Sequence, residues 1–207
     1  MDLLESKELH FVSPSQWEDP YERILVHRRS HAIFAQCWTK KAASDAMWRI
    51  YSANRTAVRI RTNRVKLQRE LSRHKNRSEI DFLIGDVEYL SLSEFNKRIN
   101  AVAADLKQKY LPRRAADTLL AKRQAFDHEA EVRVIIHDRN LTTRTKPKPF
   151  YRIPVDTDTL IDSIFFDPRS DEAFVKMATY YLENSLQFKG TIAKSALYRI
   201  RDPIVVE

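Results

Sequence analysis

Glycine is nearly missing from this sequence: Gly85 and Gly190 are the only two in 207 residues. A phosphate-cradling P-loop and a dinucleotide fingerprint each need several glycines in a short window, so both are excluded. Cysteine occurs once, at Cys37. That rules out an intramolecular disulfide and a cysteine-built zinc site, and it fits a reducing cytoplasm. No run of about 18 apolar residues is present, so no transmembrane helix is expected. The opening "MDLLESKELHF" has neither the positive start nor the apolar run of a signal peptide. Metal-ligand spacing is just as scarce. His27 and His31 stand at i,i+4, but Arg28 and Arg29 lie between them and disfavour a cation, so no metal site is expected.

What is present reads as an ordinary soluble fold. Hydrophobic residues make up 43% and charged residues 31%, a balance that argues against global disorder. The length suits one domain over residues 1–207, large enough to bury a core without staples. The net charge of +8 fits a polyanionic partner such as nucleic acid or a phosphate-bearing cofactor, and it equally fits solubility alone.

Apolar periodicity predicts the elements. "IFAQCW" (33–38) reads as a buried strand, and Cys37 within it as an inert buried thiol. "AVRIRT" (57–62), "FLIGDVEYL" (82–90), "FYRIPV", "SIFFD" and "SALYRI" (195–200) read as further strands. Ser44 caps a helix to about Asn54, and residues 63–76 form a charged helix. Ser91 and Glu94 make a capping box ahead of Phe95, Ile99, Val102 and Leu106. A second helix is expected from Pro112 to about Phe126, and a third over 171–187 with Phe174, Met177 and Tyr181 on one face. Strands and helices interleave without strict alternation, so the expected class is α+β: a single domain with a mixed or antiparallel sheet and helices packed around it.

Four groups of residues carry possible chemistry. In "FDHEAEVRVII" (126–136), Glu129, Glu131 and Arg133 alternate, which on a strand puts them on one face with the carboxylates roughly 7 Å apart. That face is either solvated or a site in which one acid works and Arg133 keeps its neighbour ionised. In "MWRIY", Met47, Ile50 and Tyr51 supply a core stripe while Trp48 lies off it; Trp48 and Tyr51 are candidates to flank a planar ring. In "WEDPYE", Asp19 and Glu22 belong either to turn chemistry or to a loop closing a pocket. The loop "DRNLTTRTKPKP" carries Arg139, Arg144, Lys146 and Lys148, which suit phosphate contacts or a merely solvated loop.

Taken in order, "FVSPSQWEDPYE", Cys37, "MWRIY", "AVRIRT" and Lys122-x3-Phe126-x2-Glu129-x-Glu131-x-Arg133 resemble a large bacterial family of uncharacterised proteins, a domain of unknown function. Its members carry F-x-S-P-x-x-F-N-D-P-F-E, M-W-x-x-Y and K-x-x-x-W-x-x-E-x-E-x-R; here Trp17, Glu18 and Phe126 replace the usual Phe, Asn and Trp. Members also carry a strand before the first motif, whereas only ten residues precede Phe11 here. The layout is analogous to that of ADP-ribosyltransferases. That analogy implies NAD as cofactor, with Glu131 or Glu129 stabilising the oxocarbenium-like transition state. It also implies Trp48 and Tyr51 beside the cofactor, and Lys122 and Arg133 organising charge. The alternative is a non-catalytic nucleic-acid-binding module using the 139–148 loop and the Arg-rich segment 55–77.

Overall fold

Strand β1 (Glu8–Val12) follows a short helix α1 (Asp2–Ser6), and the chain then turns through two single 3-10 turns, Pro14–Gln16 and Pro20–Arg23. The computed structural model describes residues 2–75 and 80–200. In chain order the later elements are β2 (Ile33–Thr39), α2 (Asp45–Tyr51), β3 (Val58–Arg61), α3 (Arg64–Lys75), β4 (Ile80–Asp86), β5 (Glu88–Leu90) and α4 (Leu92–Gln108). They are followed by α5 (Pro112–Ala116), β6 (Ala121–Arg123), β7 (Glu131–Asp138), β8 (Phe150–Pro154), α6 (Thr157–Leu160), β9 (Ser163–Phe166), α7 (Glu172–Tyr180) and β10 (Thr191–Lys194). The class is α+β with mixed and antiparallel sheets, as expected. No helix among the described residues is long and apolar enough to cross a membrane.

Two compact units are present. The first comprises residues 1–41 and 64–155, the second 42–63 and 156–207. The first is built on a five-stranded antiparallel sheet in the order β4-β7-β2-β1-β8. Paired residues share a face, so one face carries Phe34, Ile136, Leu9, Phe11 and Ile153, all buried. On the other, Ile33, Ala35 and Ile135 pack against Ala115, Ala116 and Leu119 with Trp17 and Tyr110 at the margin. Helix α4 opens with the expected Ser91/Glu94 capping box and buries Phe95, Ile99 and Val102. Beside it, the short strands β5 and β6 pair in parallel, which sets Tyr89 opposite Lys122.

The second unit holds β3, β9 and β10, with β9 central, antiparallel to β3 and parallel to β10. Ser44 caps α2 by accepting from the Met47 N–H. Arg169 closes the end of that helix, donating to the Trp48 carbonyl at 2.9 Å and to buried Asp167 at 2.7 Å. Burial opposes ionisation of Asp167, but hydrogen bonds from Arg169 outweigh it and hold the carboxyl down to about 2.

Several expectations are corrected. The stretch 112–126 is no continuous helix: α5 gives way to a 3-10 turn (Asp117–Leu120), then β6, then a 3-10 segment (Gln124–Glu129). Strand 82–90 breaks at Val87 into β4 and β5. Residues 196–198 form a 3-10 turn, and the last described strand is β10. The α2 stripe is reversed, since Trp48 is 7% exposed while Ile50 and Tyr51 are 54% and 61% exposed. Of segment 55–77, residues 76 and 77 lie outside the described residues.

Candidate functional site

The alternating acids and arginine of "FDHEAEVRVII" are interior. Arg133 is 1% exposed, and Glu129 and Glu131 are buried beside it. Their strand explains why: β7 lies between β4 and β2, and the turn that carries Trp17 and Glu22 covers its charged residues. A solvated strand face is thereby excluded for these three side chains.

Glu129 does not lie on the strand. It ends the 3-10 segment, and Ala130 then adopts a left-handed conformation at φ 44°. That backbone state is costly for a residue with a Cβ. It is held by the Ala130 carbonyl accepting from the Lys40 N–H at 3.0 Å and by the Glu129 carbonyl accepting from the Thr39 hydroxyl at 2.6 Å. The kink turns Glu129 back so that both carboxylates converge on the Lys122 ammonium, which hydrogen-bonds Glu129 and, at 2.5 Å, Glu131.

Arg133 spends its donors on three partners. Its Nε donates to Glu131 at 2.7 Å, one terminal nitrogen to the Leu119 carbonyl at 2.8 Å, and the other to Glu22. The guanidinium carbon lies 4.5 Å from the centre of the Trp17 ring, a cation–π contact strengthened by exclusion of water. Gly85, opposite Arg133 across the ladder, makes room for this. A Cβ there would stand 2.6 Å from the Leu120 side chain, whose turn supplies the carbonyl.

A second pairing fastens the same two segments. Asp19 caps the Pro20–Arg23 turn by accepting from the Tyr21 N–H at 3.0 Å and also accepts from Arg123 at 3.1 Å. The Arg123 guanidinium lies 4.1 Å from the Tyr21 ring centre and 5.3 Å from that of Phe126, while the Lys122 ammonium lies 4.7 Å from Phe126. Segments 17–22 and 122–133 are therefore one interlocked structure.

Three carboxylates (Glu22, Glu129, Glu131) face two cations (Lys122, Arg133). Burial opposes ionisation of Glu131, yet hydrogen bonds and charge from Arg133, with Lys122, hold its carboxyl at about 2. Burial likewise works against the charges on Lys122 and Arg133, and the same carboxylates keep both protonated well above their usual ranges. Glu22 goes the other way: burial raises its pKa despite Arg133 and Lys122. The cluster thus relieves its excess of negative charge at Glu22, the carboxyl that burial makes hardest to ionise.

The structure brings together Asp19, Glu22, Lys122, Glu129, Glu131 and Arg133. Trp48 and Tyr51 belong to the second unit. Arg139, Arg144, Lys146 and Lys148 follow β7 on the surface. Sequence reasoning missed the Tyr89 hydroxyl that accepts the Glu131 N–H at 2.7 Å and the setting of Cys37. The residue is exposed, correcting the buried reading, although desolvation of the thiol by burial pushes its pKa up to about 12. A thiol held so far above neutrality is a poor nucleophile.

Residues 47–134 match the family described as "Protein of unknown function (DUF2971)", a span that includes Lys122, Glu129, Glu131 and Arg133 and leaves out Trp17 and Glu22. No curated protein and no solved structure matches the chain.

Proposed function

We propose that the first unit binds single-stranded nucleic acid through the 139–148 loop and the aromatic residue that follows it. The carrying observation is that Arg144, Lys146 and Lys148 are exposed and make no ion pair among the described residues, whereas the buried acids are engaged by Lys122 and Arg133. Cations without acid partners are the groups that can displace counterions from a phosphate backbone. The loop has a defined shape. Thr142 and Thr145 hydrogen-bond one another, the Thr142 hydroxyl accepts from the Arg144 N–H at 3.3 Å, and the His31 ring meets the Thr142 carbonyl at 2.7 Å.

At the end of the loop, Phe150 is 45% exposed, with the Arg152 guanidinium 5.0 Å from its ring centre and His10 stacked on it at 6.2 Å. An exposed ring that follows a run of cations in the chain suits unstacked bases, which favours single strands over duplex.

The test is fluorescence anisotropy with a labelled single-stranded oligonucleotide at rising salt. Replacing Arg144, Lys146 and Lys148 together by Ala removes up to three phosphate contacts, which should flatten the slope of log K against log salt by about 2. An unchanged slope, or no binding at about 50 mM salt, refutes the proposal.

A transferase reading with NAD draws support from the convergence of Glu129, Glu131, Lys122 and Arg133 at one place. It requires a carboxylate that can turn to a ribose hydroxyl, and both Glu131 oxygens are engaged, by Lys122 and by Arg133. A saturable thermal shift with NAD that Glu131→Gln alters would favour this reading over the first.

A further inference from the structure

A second feature of the first unit lies outside the ion cluster. Between the sheet and α5 lies a cavity of about 410 Å³ lined by Ile33, Asp81, Phe82, Leu83, Pro112, Arg113, Ala116, Ile135 and His137. Strand register explains its floor: His137 pairs with Ile33 on one side and Asp81 on the other, and the next row is Ile135 beside Leu83. Its roof is α5.

His137 is 7% exposed, yet neither of its ring nitrogens has a hydrogen-bond partner among the described residues. A buried imidazole with two unsatisfied nitrogens costs free energy unless something else meets them. Its ring packs 6.2 Å from that of Tyr110, whose buried hydroxyl is unpartnered in the same sense. Arg29 stacks over Tyr110 at 5.2 Å, and its buried Nε also lacks a partner. Arg113, on the cavity wall, is exposed and has no ion pair among the described residues. Asp81 is partly balanced by Arg139 at 3.6 Å.

We propose that this cavity binds a small phosphate monoester with a planar body, of the mononucleotide class. The apolar floor of Ile33, Leu83 and Ile135 suits a ring, His137 offers it a hydrogen bond, and Asp81 can accept from a hydroxyl or amino group. Arg113 supplies the fork that grips phosphate, with Arg29 adding positive field. The volume lies within the range of ordinary ligand sites. None of this uses Arg144, Lys146, Lys148 or Phe150, so the site stands whether or not the surface binds nucleic acid. The groups facing His137 are His27, Arg29, Tyr110, Arg139, Asp81 and Asp138. Burial first, and Arg29 next, hold its pKa down, so an arriving phosphate should draw a proton onto it.

The experiment is calorimetric titration of the whole protein with AMP, with inorganic phosphate and adenosine as separate arms. AMP should bind saturably and more tightly than either fragment. Arg113→Ala should weaken AMP at least about 10-fold, the loss expected for one charge-assisted contact. Lys97→Ala, an exposed charge on α4, should change nothing. The His137 ring resonances should move on saturation in the wild type. Absence of AMP binding, equal affinity for phosphate alone, or an Arg113→Ala variant that binds as the wild type does would overturn the proposal.

Discussion

Replacing Glu131 by Gln separates a structural cluster from a catalytic one. The carboxyl sits at about 2 in the folded protein against an ordinary 4.5, a difference equivalent to roughly 3 kcal/mol in favour of the charged native form. The side chain is 7% exposed, so little of this is lost to solvent screening. The same interaction, viewed as a broken buried ion pair, costs about 3–5 kcal/mol. Lowering the count from three carboxylates to two relieves repulsion on Glu22 and Glu129.

A net loss of roughly 3 kcal/mol is therefore expected at pH 7, or a melting temperature lower by roughly 6–12 °C for a chain of this size. Circular dichroism during thermal and urea unfolding would measure it. The pH dependence adds a second signature. Because the native pKa lies below the unfolded one, the stabilisation is complete above about pH 4.5 and drains away as pH falls towards about 2. The wild-type and variant curves should converge over that range. A variant that melts within about 1 °C of the wild type at pH 7 would refute the structural role and return Glu131 to the catalytic reading.

The backbone at Ala130 and the histidine pair make two further tests. Ala130→Gly should stabilise the protein by about 0.5–1 kcal/mol, because Gly adopts φ 44° without the Cβ penalty, whereas Ala130→Val should destabilise it; urea midpoints check both, and a destabilising Gly would refute the strain argument. His27 and His137 are both held below their ordinary 6.5, chiefly by burial. Their contribution is thus complete above about pH 6.5 and is lost as pH falls below it, with a slope of up to about 2.7 kcal/mol per pH unit when both take part. His137→Phe should roughly halve that slope below pH 6.5, and an unchanged slope would remove His137 from the account.

Much of the sheet was legible because its signals are local. Strand β2 is a continuous apolar run, β8 and β9 are bounded by turn residues, and α4 announces itself through the Ser91/Glu94 box and a clean helical stripe. The segment 112–126 was misread for a reason of the opposite kind. Its Ala, Leu, Lys and Arg content has high helix propensity, but β5 and the carboxylates of Glu129 and Glu131 claim Ala121–Arg123 as a strand. Trp48 was misplaced because α2 spans only seven residues, too few for a stripe to show which side faces inward. The kink at Ala130 had no signal at all, since alanine is not a residue that marks left-handed backbone.

The site was legible in composition and illegible in environment. Alternation put Glu131 and Arg133 on one face, which is correct, yet whether that face is wet depends on a turn about 110 residues away in the chain. Trp17 covers Arg133, Glu22 binds it, and Asp19 binds Arg123; neither motif reveals this alone. The cluster is self-contained: its cations are consumed by its acids and by the Leu119 carbonyl, so it adds little to the field at the surface. The overall excess of +8 must then be sought on outward side chains, and Arg144, Lys146, Lys148 and Arg113 are outward and make no ion pair among the described residues. Under the proposed reading these outward cations are the groups that meet an anion, because the buried Lys122 and Arg133 are already held by Glu22, Glu129, Glu131 and the Leu119 carbonyl.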